Sequence, residues 1–528
     1  MKSNTTGHAT AEATQIFADR MRAQYPSFDI SAYRSLTGTD LITSKIGYGA
    51  YRVHNQSEEH AETLKAAIER GCNLIDTSSN YTDGGSETLI GHVLDDLVDE
   101  GKIQRGEIVI VSKVGYMQGQ NLGQAQEREA GGNLWEEVVK YMEGCWHCIH
   151  PDFLVDQWTR STDRLGLETI DVYLLHNPEY FLSNAKKRAS STPPDAIRDA
   201  FYDRIYRAFV QMERFVIDGK IRYYGISSNT FSLPTDDFDH VSLTRVYDTA
   251  SRAAEAVHGN PSTSHFRVLQ LPYNLLEHGA FTEVNNEVSG ENVTVLEAAK
   301  ALEIGVLANR PLNGFKNNRM TRLAQYAYDP NADYPADISH AEGILVQIER
   351  TLAETLKSWG IFDLVHDQVN LNLFYDVAQQ LGGFMLRVQN REHWDQILQQ
   401  HLIPQINAYL RQTTSTCPDE HQAEWEALLS RYVDGLNLLF PTVTEIFNRV
   451  EAEKVEPIQQ ALEQHLSNDE KRLTLSQKAL NFVTSSPGAS VVLNGMKREE
   501  YVPDAMDIMN VPDFAEPLAL IERVEDET

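Results

Sequence analysis

The sequence predicts an α/β fold: a (β/α)8 TIM barrel with a large all-helical insertion between strands 7 and 8. Three observations point there. Eight short apolar runs alternate with segments of helical periodicity, as strands do when helices cover their outer faces. Several runs deliver a polar or titratable residue to their ends, as in Asn73-Leu74-Ile75-Asp76, Ile108 to Lys113 and Ile170 to His176. The eighth run, Ser490 to Asn494, comes late, behind a long Gln- and Glu-rich stretch of helical pattern.

Residues 1–30 read as an N-terminal extension with one short helical pattern around Ala13 to Ala23. Tyr33 to Leu41 reads as a hairpin turning at Thr37-Gly38. Lys45 to Tyr51 is the first barrel strand, with Gly49 and Ala50 near its end. Ser57 caps the next helix, Glu58 and Glu59 favour its dipole, and Ala61, Leu64 and Ile68 form its apolar face before Gly71 stops it. Asn73 to Thr77 is the second strand, and a helix opens at Ser86 with Ile90, Val93, Leu94 and Leu97 on one face. Ile108 to Val114 is the third, followed by a loop of roughly 30 residues, long enough to be functional or partly structured.

Pro151 starts a helix carrying Leu154, Trp158 and Leu165, Gly166 stops it, and the fourth strand reaches His176. A helix through Phe209, Met212 and Val216 ends at Asp218-Gly219, before the fifth strand, Ile221 to Ser227. Val268 to Pro272 is the sixth strand, a capping box of Thr294 and Glu297 opens another helix, and Gly305 to Asn309 is the seventh strand. Leu475 to Val483 is the last helix before the eighth strand. Between them, helical segments are expected around Ile344 to Leu352, Val369 to Leu381, Trp394 to Leu410, Trp425 to Leu438 and Val443 to Leu466. The chain thus divides into the extension (1–30), strands 1–7 with the hairpin (31–316), the helical insertion (317–471) and barrel closure (472–528). Because the insertion leaves after strand 7 and returns before strand 8, both its ends are expected on the face bearing the strands' C-terminal ends. A bundle over the barrel mouth and a dimer interface both satisfy its apolar faces.

A net charge of −30 argues against nonspecific nucleic-acid binding and against anionic membrane surfaces. No apolar run approaches about 18 residues, so a transmembrane helix is not expected. Four cysteines without framework spacing point to a reducing compartment, and a cytoplasmic location is expected.

If the strands are parallel neighbours, Asp76, Tyr81, Lys113 and His176 converge on one patch, a proton-transfer site built around a tyrosine. Tyrosine titrates near 10 and is a weak acid at neutral pH. An adjacent ammonium, Lys113 held by Asp76, is expected to lower that value toward the working range. His176 either donates a hydrogen bond to a substrate carbonyl or relays the proton. Singly, each has a bland reading: Asp76 capping a turn, Tyr81 as a core aromatic, Lys113 and His176 in packing or solvation.

Together and in this order, these residues resemble the catalytic tetrad Asp, Tyr, Lys and His of the aldo-keto reductase superfamily. The resemblance covers most of Tyr33 to Gly314 and resumes at about Thr474. It implies a hairpin plugging the barrel bottom, and NADP(H) as cofactor with NAD possible. Gly225-Ile226-Ser227-Ser228-Asn229 resembles the segment whose Ser and Asn hold the nicotinamide carboxamide, as does Gln270. The extra serine leaves open whether Ser228 or Asn229 takes the Asn role. Gly495-Met496-Lys497-Arg498 resembles the segment cradling the adenosine phosphate, where Lys497 and Arg498 suit an anion and favour NADPH over NADH; a solvated charged turn is the alternative. Gly49, Ala50, Asn309 and Arg310 complete the expected cofactor-contacting set. Three positions depart from the family pattern: Asn309 replaces a common stacking aromatic, Ala50 a common threonine, and Ala505 an adenine-contacting Asn.

The resemblance implies NAD(P)H-dependent reduction of an aldehyde or ketone, or the reverse oxidation, by a monomer or homodimer acting on a small molecule. The alternative is a nucleotide-binding regulatory or sensing subunit that keeps the fold and has little turnover. Cys145-Trp146-His147-Cys148-Ile149-His150 offers four metal ligands in six residues, but no second set is evident, so packing in a substrate loop is expected and no metal.

Overall fold

The structure is a computed structural model that describes residues 6–188, 192–316, 319–360 and 377–527. Eight parallel strands close into a barrel in sequential order: β1 (Ile46–Gly49), β2 (Leu74–Asp76), β3 (Val109–Val114), β4 (Ile170–His176), β5 (Ile221–Ser227), β6 (Phe266–Pro272), β7 (Gly305–Asn309) and β8 (Val491–Asn494), with β8 paired to β1. Every expected strand is present, within a residue or two of its expected ends. β3 and β4 are buried along their whole length, which is why they read as near-continuous apolar runs and not as alternating ones.

The barrel core gathers Leu74, Val109, Val111, Val172, Leu174, Val268, Leu307, Val491 and Leu493 from six of the strands. Leu36 and Leu41 of the hairpin join it, as does Ala9 of the N-terminal segment. The hairpin pairs Tyr33–Ser35 with Ile42–Ser44, so its turn is longer than the Thr37-Gly38 step alone. Gly38 has φ +75°, and a Cβ there would sit 1.8 Å from the Glu303 carbonyl oxygen, so only glycine fits. Leu36 packs beside Gly305 at the start of β7, which sets the hairpin at the N-terminal end of the strands.

The long loop after β3 is structured. It contains the helix Gly119–Ala130 and a three-stranded antiparallel sheet of Tyr116–Met117, Cys145–His147 and Val139–Met142. Among the described residues, no helix is long and apolar enough to cross a membrane.

The chain forms two compact units, residues Met1–Leu323 with Gln460–Thr528, and Ala324–Gln459. The second has its own core, with Trp394, Trp425, Tyr409, Tyr432, Leu345, Leu352 and Val443 buried together. The indole N–H groups of its two fully buried tryptophans are partnered: Trp394 donates to Thr444 Oγ1 at 2.9 Å and Trp425 to Thr414 Oγ1 at 3.1 Å. Two expectations are corrected here. The segments Trp425 to Leu438 and Val443 to Leu466 form one helix, Gln422–Glu463, that continues through Pro441 and Pro457. The segment Trp394 to Leu410 is instead divided by a π turn at Leu398–Leu402, immediately before Pro404, whose missing N–H and ring disfavour regular helix there. The Val369 end of another expected helix, and the insertion's first residue, Asn317, lie outside the described residues.

At the N-terminal end of the barrel, Asp171 of β4 is fully buried. Its Oδ2 accepts from Arg105 Nη2 at 2.8 Å and from the Ile110 N–H at 2.8 Å, while Oδ1 accepts from the Ala9 N–H at 2.7 Å. Removing the carboxylate strands a buried guanidinium, so Asp171→Ala is expected to lower stability by about 3–5 kcal/mol in denaturant unfolding. A loss below about 1 kcal/mol would show that Arg105 finds other solvation.

Candidate active site

Asp76 ends β2, Lys113 lies near the end of β3 and His176 ends β4, all on adjacent parallel strands. Tyr81 is supplied by the turn after β2. There Thr82 and Asp83 have φ of 48° and 56°, and Gly84 has φ 88°. Left-handed backbone at a β-branched residue costs on the order of 1–3 kcal/mol. The turn is held by Thr82 Oγ1 donating to the Val53 carbonyl at 2.8 Å and by the Gln120 N–H donating to Asp83 Oδ1 at 3.0 Å. That constraint aims the Tyr81 phenol inward.

The four side chains meet. Lys113 Nζ donates to Asp76 Oδ2 at 2.7 Å, to the Thr77 carbonyl at 2.7 Å and to the Tyr81 hydroxyl at 3.1 Å. The Tyr81 and His176 ring centroids are 5.9 Å apart, edge to face. Gln270 Nε2 donates to Asp76 Oδ1 at 2.7 Å, and Ser227 Oγ donates to Gln270 Oε1 at 2.9 Å. Two residues expected on the cofactor side are thus joined to the carboxylate.

The other expected residues are distributed less evenly. Asn309 Nδ2 reaches Gln270 Oε1 at 3.4 Å, while its Oδ1 is buried without a partner. Ser228 turns to Thr230, their hydroxyls 3.2 Å apart, and Asn229 Oδ1 accepts from Arg310 at 3.3 Å. Asn229, not Ser228, is therefore the residue joined to the seventh-strand side. Gly49 pairs with Asp76 across β1 and β2, and the Ala50 N–H donates to the Asp76 carbonyl at 2.9 Å. After β8, Met496 is buried, and Arg498 lies 3.8 Å from Glu500 and beside the Tyr501 ring.

Some of the site was not anticipated. Ser78 Oγ lies 3.1 Å from His176 Nδ1 and donates to Asn80 Oδ1 at 2.7 Å; Asn80 Nδ2 in turn donates to Gln118 Oε1 at 3.0 Å. Ser78 Oγ thus links His176 Nδ1 to the Asn80 and Gln118 side chains and fixes the orientation of the ring. Tyr116 stacks edge-on against His176 at 4.6 Å and hydrogen-bonds the Tyr180 hydroxyl at 3.0 Å. Buried Glu179 accepts from the Asn229 N–H at 3.0 Å. The signals were weak ones: Ser78 and Asn80 sit inside the Asp76–Tyr81 stretch, and Tyr116 lies three residues after Lys113.

The electrostatics correct one expectation. Burial, then the Asp76 carboxylate, push the Tyr81 phenol well above its ordinary value, whereas the sequence predicted a lowered one. Desolvation of the phenolate outweighs the ammonium in the resting site. Burial and the neighbouring Lys113 charge push His176 well below its ordinary range, so it is a neutral imidazole. The cluster Cys145 to His150 does not assemble as a metal site. His147 Nε2 meets the His176 carbonyl at 2.7 Å, Cys148 Sγ the Glu136 carbonyl at 3.5 Å, and all four cysteines are free.

A phenol, an ammonium, a carboxylate and an imidazole thus meet at the C-terminal ends of a closed parallel barrel's strands, an arrangement suited to proton transfer. Residues 45–409, more than half of the chain, match the Aldo/keto reductase family. The chain belongs to that family. It is similar to an NADH-specific methylglyoxal reductase of Escherichia coli (strain K12), 22% identical over 277 residues that cover 51% of this chain and 67% of that protein. It is also similar to an NADPH-dependent D-xylose reductase of Candida boidinii, 27% identical over 200 residues, 36% of this chain and 50% of that one. An uncharacterized oxidoreductase of Bacillus subtilis (strain 168) is 26% identical over 195 residues, 37% of this chain and 48% of the relative. The matched part of the chain thus spans half or less of the length of two of these three relatives. Among solved structures, an aldo-keto reductase from Bacillus halodurans aligns at 14% identity over 93% of this chain and 95% of that one, with a TM-score of 0.46.

The directions of these shifts are directly measurable. In a difference titration of the protein against Tyr81→Phe, no phenolate absorbance from Tyr81 is expected below about pH 10, and NMR should find His176 neutral down to about pH 6.5 and lower. A Tyr81 phenolate forming near neutrality would mean that the Lys113 charge outweighs burial.

Proposed function

We infer that this chain is an NAD(P)H-dependent oxidoreductase that reduces an aldehyde or ketone to an alcohol, and catalyses the reverse oxidation, with Tyr81 as the general acid. The observation that carries this reading is the single ammonium, Lys113, in hydrogen-bond contact with both the Asp76 carboxylate and the Tyr81 phenol, beside a neutral His176. Family membership supports it.

The cofactor fits the residues present. A nicotinamide carboxamide brings N–H donors, and the buried, unpartnered Asn309 Oδ1 beside Gln270 and Ser227 is an acceptor that lacks one. Ser227, Asn229, Gln270 and Asn309 would hold that end, with Gly49 and Ala50 flanking it, and Gly495 to Arg498 would hold the phosphate end. When bound, NAD(P)H supplies the hydride.

The protein's own residues do the rest. Tyr81, kept protonated by burial, gives its proton to the carbonyl oxygen. Lys113 stabilises the phenolate as it forms, so the charge that is costly at rest is compensated during the reaction. Asp76, fixed by Gln270, holds Lys113 in place. His176, a neutral imidazole with Nδ1 on Ser78, lies beside the phenol, placed either to donate a hydrogen bond to the carbonyl or to relay the proton.

Tyr81→Phe is expected to lower carbonyl reduction by about 10²–10⁴-fold, followed as loss of NADPH absorbance with a panel of aldehydes and ketones, and to leave NADPH binding nearly intact. Near-normal turnover would sink the assignment of the acid. A native protein that binds NADPH but turns over no carbonyl would replace this reading with a nucleotide-sensing subunit.

The preferred cofactor is NADPH, because Lys497 and Arg498 supply cations for a 2′-phosphate, each charge-assisted hydrogen bond contributing about 1.5–3 kcal/mol. Replacing both with alanine is expected to weaken NADPH by at least about tenfold and to spare NADH. Equal weakening of both cofactors would show that these side chains do not read the 2′ position.

A further inference from the structure

Away from the active site, three side chains from three elements converge at the opposite end of the barrel. Glu213 lies near the C-terminus of the helix Pro194–Ile217, His258 ends the helix Leu243–His258, and His265 immediately precedes β6, whose other end carries Gln270. Glu213 Oε2 is 2.9 Å from His258 Nε2 and 2.8 Å from His265 Nδ1, and the three donor atoms lie within 4.8 Å of one another. We propose that Glu213, His258 and His265 form a binding site for a divalent transition metal of the zinc class.

The chemistry of the donors selects the ion. Two imidazoles and one carboxylate suit Zn²⁺ and its late first-row neighbours, whereas Mg²⁺ and Ca²⁺ take oxygen ligands. Tetrahedral zinc with bonds of about 2.0–2.2 Å sets its ligand atoms roughly 3.3–3.5 Å apart, so the two Glu213–His separations need open by only about half an ångström. The carboxylate is already oriented. Its other oxygen, Oε1, accepts from the Tyr224 hydroxyl at 2.8 Å and from the His265 N–H at 2.9 Å, which leaves Oε2 for the imidazole side. Such outer partners fix a ligand's direction.

Access fits as well. The Glu213 side chain is fully buried, while His258 and His265 are 19% and 33% exposed, so a metal can enter from solvent and keep a water as fourth ligand. Among the described residues, this is the one group of three or more His, Cys, Asp or Glu side chains spaced to share an ion. Bound there, the metal would clip two helices to the start of β6, a structural role that involves neither the cofactor nor the tyrosine.

The test is a titration of the metal-free full-length protein with Zn²⁺ against a chromophoric chelator, and with Co²⁺ followed by visible absorption. One tight equivalent of Zn²⁺, the absorption of tetrahedral Co²⁺, and a metal-dependent rise in Tm are expected. His258→Ala and His265→Ala should each weaken Zn²⁺ by more than about 100-fold, and the milder Tyr224→Phe by about 10–100-fold. His60→Ala, which alters a second histidine pair with His54, should change nothing. Absence of stoichiometric binding by the native protein, an octahedral Co²⁺ spectrum, or binding that survives loss of both His258 and His265 would overturn the proposal. Because the native protein's stoichiometry and spectrum can each do so alone, a variant that fails to fold does not blunt the test.

Discussion

The buried ion pair between Lys113 and Asp76 is the constraint around which the rest of the active-site end is arranged. The ammonium has no exposed side-chain surface and the carboxylate only 6%. Two charges so desolvated are stable only if their remaining hydrogen-bonding capacity is met. Lys113 uses Asp76, the Thr77 carbonyl and the Tyr81 hydroxyl, and Asp76 takes its further bond from Gln270, which is held in turn by Ser227. Those partners come from β2, β3, β5 and β6, so the network can form only when the barrel is closed. Its value lies in placement more than in stability, since a well-packed apolar replacement of such a pair is often as stable.

The two ends of the barrel use buried charge differently. At the N-terminal end, Asp171 joins Arg105, the start of β3 and the N-terminal segment, and every acceptor is filled. On the outer face, Glu87 takes Ser112 Oγ at 2.6 Å and the Arg164 guanidinium. These junctions fasten secondary structure. At the C-terminal end, Asn309 Oδ1 and the Ser79 hydroxyl are buried and unpartnered.

Above the strands, the loop after β3 contributes an aromatic wall. Tyr116 meets His176, Tyr180 meets Tyr116, and Tyr141 stacks on Tyr180 at 4.3 Å with 17° between planes. The Tyr51 ring stands edge-on to Tyr81 at 5.1 Å. These rings desolvate the phenol and the imidazole, which is why both titrate away from their ordinary ranges.

The sequence alone determined the strands, because each is a short apolar run bounded by Gly or by a capped helix, and burial on both faces leaves no other pattern. It also carried Asp76, Lys113 and His176, since strand ends in a parallel barrel converge, whereas the placing of Tyr81 rests on the turn after β2. Local signals misjudged the helical unit, where Trp425 to Leu438 and Val443 to Leu466 were expected as two segments although one helix continues through Pro441 and packing of Phe440 and Val443 holds it. Three features were decided only by tertiary structure. The setting of the His176 ring depends on Ser78 and Asn80, whose role is set by a hydrogen-bond chain between loops. The raised phenol of Tyr81 depends on how much water the closed barrel excludes, a quantity no spacing encodes. Glu213 meets His258 and His265 across two helices and a strand, and 45 residues separate Glu213 from His258 in the chain. Proximity of that kind is created by folding, because the distance between residues far apart in sequence is fixed by packing and by nothing local.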